Sequence, residues 1–135
     1  MNVGTILRVI PIIALAFATA APVAAQVQTK TYTWGQMSSG DCVMVAGSTL
    51  SLNSDGTGRF TATTFTWHTH NQDVWHHNIE VIATNGAPMF NLGQWDSPGM
   101  HDGPPPPQYG WSVPFVFDPA QFNAIGSAIA HNYSC

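Results

Sequence analysis

Residues 49–67 read TLSLNSDGTGRFTATTFTW, and this stretch decides the fold class. Thr49 to Leu52 alternates, and Gly58 to Trp67 is a long run of β-branched and aromatic residues. Side chains on a strand alternate between faces, so both segments read as strands with one buried side. Between them, Asn53-Ser54-Asp55-Gly56 supplies residues that tolerate the positive φ of a tight turn. The stretch is therefore a predicted β-hairpin turning at Asp55-Gly56.

Working outward, the same pattern recurs. Thr29–Trp34 (TKTYTW) and the short apolar run 41–46 precede the hairpin. Residues 73–83 (DVWHHNIEVIA) follow it, with Trp75, His77, Ile79 and Val81 in one phase and His76, Asn78 and Glu80 in the other. Asn85-Gly86 signals a further turn into 89–92, and residues 109–117 (YGWSVPFVF) restart a strand. Pro114 there suits an edge, because proline cannot donate to a ladder. Residues 96–108 (DSPGMHDGPPPPQ) form a predicted long loop. Near the end the period changes. Asp118 before Pro119, with Gln121 three positions after the cap, followed by Phe122, Ile125 and Ile129, predicts a helix from Pro119 to about His131. The expectation is a mainly β protein of about seven strands, a small antiparallel β-barrel or sandwich with one short C-terminal helix.

Residues 1–25 stand apart. Arg8 precedes an apolar run that leads to Val23-Ala24-Ala25, the form of a secretory signal peptide. Pro11, Thr19 and Pro22 interrupt the run, which argues against a membrane span of about 20 apolar residues. Removing 25 of the 135 residues leaves 110, residues 26–135, as one expected β-rich domain that is secreted, extracellular or periplasmic. Cys42 and Cys135 both lie in it and form an expected disulfide. Three basic residues against seven acidic give a net charge of −4; losing Arg8 leaves Lys30 and Arg59 and a net of −5. Two cations cannot neutralise a run of phosphates, so nucleic acid is excluded as a partner, as is membrane insertion of the mature chain.

The chemistry-bearing residues concentrate at 67–80, WHTHNQDVWHHNIE, which holds four of the six histidines. If Asn71-Gln72 were a hairpin tip, His68 and His70 would share a face with Asp73 and His77, or after a one-residue slip with His76 and Glu80. The expected metal ligands are thus His68, His70, His76, His77 and Glu80, for a divalent ion such as zinc. The expected ligand-binding set is Trp67, His68, His70, Trp75, His77 and His101. The plain alternative is that these are hydrogen-bonded strand residues with ordinary packing partners. His68-x-His70 resembles the first motif of cupin-type barrels over two residues, but the glutamate that should follow is absent.

Across the chain, Gly40-Asp41-Cys42, Asp55-Gly56-Thr57-Gly58, Phe117-Asp118-Pro119-Ala120-Gln121-Phe122 and Cys135 resemble a family of small exported bacterial proteins catalogued as a domain of unknown function. That resemblance implies a shared fold and carries over no catalytic residue. Three functions are consistent with these residues. The first is a secreted non-enzymatic binding module that turns a Trp/His face to a small molecule, a sugar or an extracellular protein. The second is a metal-dependent enzyme with a strand-borne histidine site. The third is a disulfide-stapled structural or inhibitor protein that engages a partner through the 96–108 loop.

Overall fold

The computed structural model describes residues 20–135, and the N-terminal part of the expected signal peptide, residues 1–19, lies outside them. Among the described residues nine strands form two antiparallel sheets. The hairpin is as expected: β4 (Ser48–Asn53) pairs with β5 (Thr57–Thr66), Leu50 opposite Phe60, and Gly56 turns at φ 85°. A Cβ at Gly56 would lie 2.6 Å from the Phe117 carbonyl oxygen, so the turn has no room for a side chain.

β3 (Cys42–Met44) continues along the same edge of β5 as β4, and β1 (Thr29–Trp34) and β2 (Met37–Ser39) lie outside them. β8 (Tyr109–Val116) covers the other edge of β5, with Pro114 opposite Arg59. In the second sheet β6 (His76–Ala83) is flanked by β7 (Pro88–Asp96) and β9 (Ile125–Ser134).

The sheets meet through rings. Phe60 of β5 lies 4.7 Å from His77 of β6, and Trp95 of β7 lies 5.2 Å from Phe115 of β8. Leu50, Leu52, Ile79 and Val81 fill the space around them and are fully buried. Their alternation is the period-two pattern read from the sequence, and burying each such side chain contributes about 1.5–3 kcal/mol.

The C-terminal helix is not there. Only Pro119–Ala124 winds into a 3-10 helix, and Ile125–Ser134 is strand β9. The cap was legible: Asp118 accepts a hydrogen bond from the Ala120 amide at 2.9 Å. What overrode the helical pattern is the open edge of β6. The Thr84 amide donates to the Ala124 carbonyl at 2.9 Å, and Gly126 passes so close that a Cβ would lie 2.7 Å from Thr84 Cα. Gly126 weakens a helix by about 1 kcal/mol relative to Ala, and Ile125 and Ile129 are β-branched, so sheet pairing prevails. The two strands beyond the expected seven are β2, whose three residues carry no strand pattern, and β9, read as helix.

Two long-range ties close the fold. Cys42 and Cys135 form the expected disulfide, Cα atoms 5.7 Å apart and 93 positions apart in sequence, which points to an oxidising compartment. Lys30 Nζ donates to the carbonyls of Phe122 at 2.9 Å and Ile125 at 2.6 Å and lies 4.9 Å from the centre of the Phe122 ring. It thereby satisfies the carbonyls at the end of the 3-10 turn.

Replacing both cysteines by serine should cost about 4–5 kcal/mol on the chain-entropy model, lowering the melting temperature on the order of 15 °C or more. An unchanged melt would contradict the tie. Lys30→Met should cost about 2 kcal/mol in denaturant titration, since hydrogen bonds to a charged group are the strong kind.

Candidate functional site

The histidine-rich stretch does not form a hairpin. β5 ends at Thr66 and pairs with β3, β4 and β8, whereas β6 pairs with β7 and β9. Residues 67–75 are a crossing loop from one sheet to the other. Asp73 organises it. Its carboxylate accepts from Thr66 Oγ1 at 2.6 Å and Thr69 Oγ1 at 3.1 Å, and its backbone bridges Met100. Two hydroxyls turned inward onto one carboxylate curl the chain where an alternating strand would run straight. His68 and His70 are therefore on a loop, and neither register expected for a strand pair exists.

The same crossing scatters the expected metal ligands. His77 points into the core and is 1% exposed, while His76 and Glu80, in the opposite phase, lie on the outer face of the second sheet. His76 Nδ1 is 2.6 Å from Asp96 Oδ1, and His131 Nε2 is 2.9 Å from Glu80 Oε2. Adjacent strand residues cannot serve one site from opposite faces. Among the described residues, the one group of three ligand-bearing side chains drawn within 4.8 Å is Cys42, Asp73 and Cys135, and its two sulfurs are bonded to each other.

The expected ligand-binding set also divides. Trp75 is fully buried and stacks on Tyr133 at 5.5 Å, interplanar angle 7°. His77 is enclosed by Phe60, Trp95 and Trp111 at centroid distances of 4.7, 6.0 and 5.9 Å. Both its ring nitrogens are buried without a hydrogen-bond partner. Burial lowers its pKa from 6.5 to about 4, with Asp96 pulling weakly the other way, so the imidazole is neutral and acts as an aromatic core residue. Trp67, His68, His70 and His101 remain exposed at one end of the molecule.

At that end lies a cleft of about 360 Å³, lined by Asp41, His68, Thr69, His70 and Asp102. Three separate segments build it: the turn between β2 and β3, the crossing loop, and the proline-rich loop between β7 and β8. The Trp67 amide donates to the Asp41 carbonyl at 2.9 Å, and the Thr69 amide donates to Asp102 Oδ2 at 3.2 Å. His101 does not enter the cleft wall; its Nε2 lies 3.1 Å from Gln72 Nε2, and its amide donates to the Tyr109 hydroxyl at 3.1 Å. Nor does it pair with Asp102. Met100, fully buried, and Ser97, whose hydroxyl accepts from the Trp75 amide at 2.9 Å, pin the proline-rich loop beneath. The cleft's side chains are open to solvent: His68 keeps 81% and Asp41 58% of its side-chain surface exposed, 3.8 Å apart.

The sequence named His68 and His70 and marked the 96–108 loop that supplies Asp102, but gave no site role to Asp41 or Thr69. Asp41 stood only at the head of the apolar run 41–46, and no local pattern places it opposite a loop some 60 positions away.

Among the described residues no helix is long and apolar enough to cross a membrane. The molecule is thus a disulfide-tied, mainly β protein of two antiparallel sheets with a polar cleft at one end. Residues 49–135 match a family model, and the chain belongs to that family, DUF6294, described as a family of unknown function. The match begins within β4 and includes Cys135, leaving β1 to β3 and Cys42 outside it. No curated protein and no solved structure matches the chain.

His77 gives a pH prediction. The unfolded chain protonates this ring below about 6.5 and the folded one only near 4, so between those values the unfolded state binds more protons. Stability is full above pH 6.5 and falls as pH drops through the window, by about 1.4 kcal/mol per unit from this residue. Denaturant titrations at pH 7 and pH 5 should show His77→Phe losing about 2 kcal/mol less than wild type; equal losses would refute the neutral-core assignment.

Proposed function

We propose that this is an exported binding protein that takes a small, hydroxyl-rich ligand, such as a sugar, in the cleft of Asp41, His68, Thr69, His70 and Asp102. The observation that carries the reading is the cleft itself: five polar side chains brought together from three chain segments, with Thr69 held by the Asp73 carboxylate and by its amide hydrogen bond to Asp102. Its volume falls within the range of small-ligand sites, about 300–1,000 Å³. Two carboxylates can accept from ligand hydroxyls, and two imidazoles and a threonine can donate or accept. Trp67, one residue before His68, is 53% exposed and stands edge-on to Phe65 at 5.0 Å, an indole face available to an apolar ligand surface.

Binding is favoured over catalysis because the cleft is wet. General acid and base groups work best when positioned and shielded from water, and here the side chains are largely exposed. Export is supported by the signal-like residues 1–25 and by the disulfide. The inhibitor reading has one point in its favour, since the proline-rich loop supplies Asp102, but that loop is tied down at Met100 and at the Tyr109 hydroxyl.

A panel of mono- and oligosaccharides titrated against the protein, followed by backbone amide NMR, should shift Thr69, His70 and Asp102 together. Asp102→Ala and His70→Ala should each weaken that binding by about tenfold, or 1.4 kcal/mol, His70→Ala without altering the melt and Asp102→Ala with a loss of about 1 kcal/mol from the Thr69 amide hydrogen bond. Sugar binding that leaves these amides unmoved, or no binding across the panel, would overturn the proposal.

A further inference from the structure

On the outer face of the second sheet, Asn78, Glu80, Asn91, His131 and Asn132 line a polar groove of about 230 Å³, remote in sequence from the loop cleft. β6 carries Asn78 and Glu80 in the phase opposite to His77, and each neighbouring strand has one extra residue beside this pair, opposite Asn78 on β7 and opposite His77 on β9. His77 and Ile79 pair with Trp95 and Leu92 on β7, and His76 and Asn78 pair with Ser134 and His131 on β9. The extra residues include Gly93 at φ 47° and Asn132 at φ 51°, the one non-glycine residue in the left-handed region among those described. Paired bulges of this kind re-aim side chains.

What they aim is unsatisfied. Asn78 Oδ1 and His131 Nε2 are both shut off from solvent and have no hydrogen-bond partner. His131 Nε2 is 2.9 Å from Glu80 Oε2, but the carboxylate lies off the line of the ring N–H, so this close pair is not a hydrogen bond. An unpartnered nitrogen and amide oxygen beside a carboxylate that keeps 26% of its side-chain surface exposed suit something that accepts lone pairs. Two ligands at about 2.0–2.1 Å from a tetrahedral zinc ion would be about 3.4 Å from each other, so the pair at 2.9 Å has to open by only about half an ångström to admit the ion. Imidazole with oxygen donors suits first-row transition cations, and the surplus of seven acidic over three basic residues draws cations to the surface.

We propose that this groove binds a divalent first-row transition cation such as zinc, through His131 Nε2 and the Glu80 carboxylate, with the Asn78 amide oxygen as third donor and water completing the sphere. His131 binds as the neutral ring with its proton on Nδ1. His76, paired with Asp96 on the same face, is not a ligand.

Untagged full-length protein, stripped with chelator and desalted, is titrated with zinc chloride by calorimetry and by NMR of the histidine rings. One equivalent should bind, shift the His131 ring and raise the melting temperature with zinc concentration. Glu80→Gln and His131→Gln should each weaken binding about tenfold or more, while the His68→Ala/His70→Ala double variant binds as wild type. Absence of saturable uptake up to about 1 mM, uptake that survives both single substitutions, or uptake lost in the loop double variant would overturn the assignment. Should His131→Gln fail to fold, Glu80→Gln, which keeps the shape of the side chain, decides the question. Because the loop residues are varied separately, failure here is distinguishable from failure of the cleft.

Discussion

The packing of Phe60 is the contact on which the rest depends. From the middle of β5 its ring meets Trp34 at 6.3 Å, His77 at 4.7 Å, and Trp95 and Trp111 each at 5.4 Å. Those rings come from β1, β6, β7 and β8, so one side chain joins both sheets. Offset and edge-on ring pairs add about 0.5–1.5 kcal/mol each beyond the area they bury. A histidine serves at the centre because, kept neutral, it is a flat ring of suitable size. Its cost is two nitrogens without partners, which ties core stability to pH.

Around that core, the ends of the sheets carry the polar chemistry. The crossing loop is shaped by Asp73, and the proline-rich loop is held by the buried Met100, so the cleft between them rests on fixed supports. The disulfide runs beside Asp73 and fastens the end of β9 to β3. The outer face of the second sheet holds a different arrangement, with bulges instead of loops setting the side-chain directions. The protein therefore presents two polar surfaces of unlike construction on one rigid frame.

Much of the frame was legible. The turn at Asp55-Gly56, the strand at 29–34, the edge position of Pro114, the shared phase of Trp75, His77, Ile79 and Val81, and the Cys42–Cys135 pair all follow from local rules that the structure obeys. The site was less so. His68 and His70 were visible as candidates, but their grouping depended on a hairpin that two threonine hydroxyls and one aspartate replaced with a loop.

Sequence by itself determined the class of fold, because period-two alternation, turn residues and an even cysteine count are local and additive signals. It also determined which side chains share a face within each strand, though not that the face of Trp75 and His77, expected at a ligand, is the buried one. Tertiary structure alone decided which strands pair, and so which histidines meet. Whether Ile125–Ser134 becomes helix or strand depends on an unpaired edge of β6 more than 40 positions away. Whether His131 joins Glu80 depends on the register of that same pairing. Such choices are settled by contacts between distant segments, and a window of neighbouring residues does not contain them.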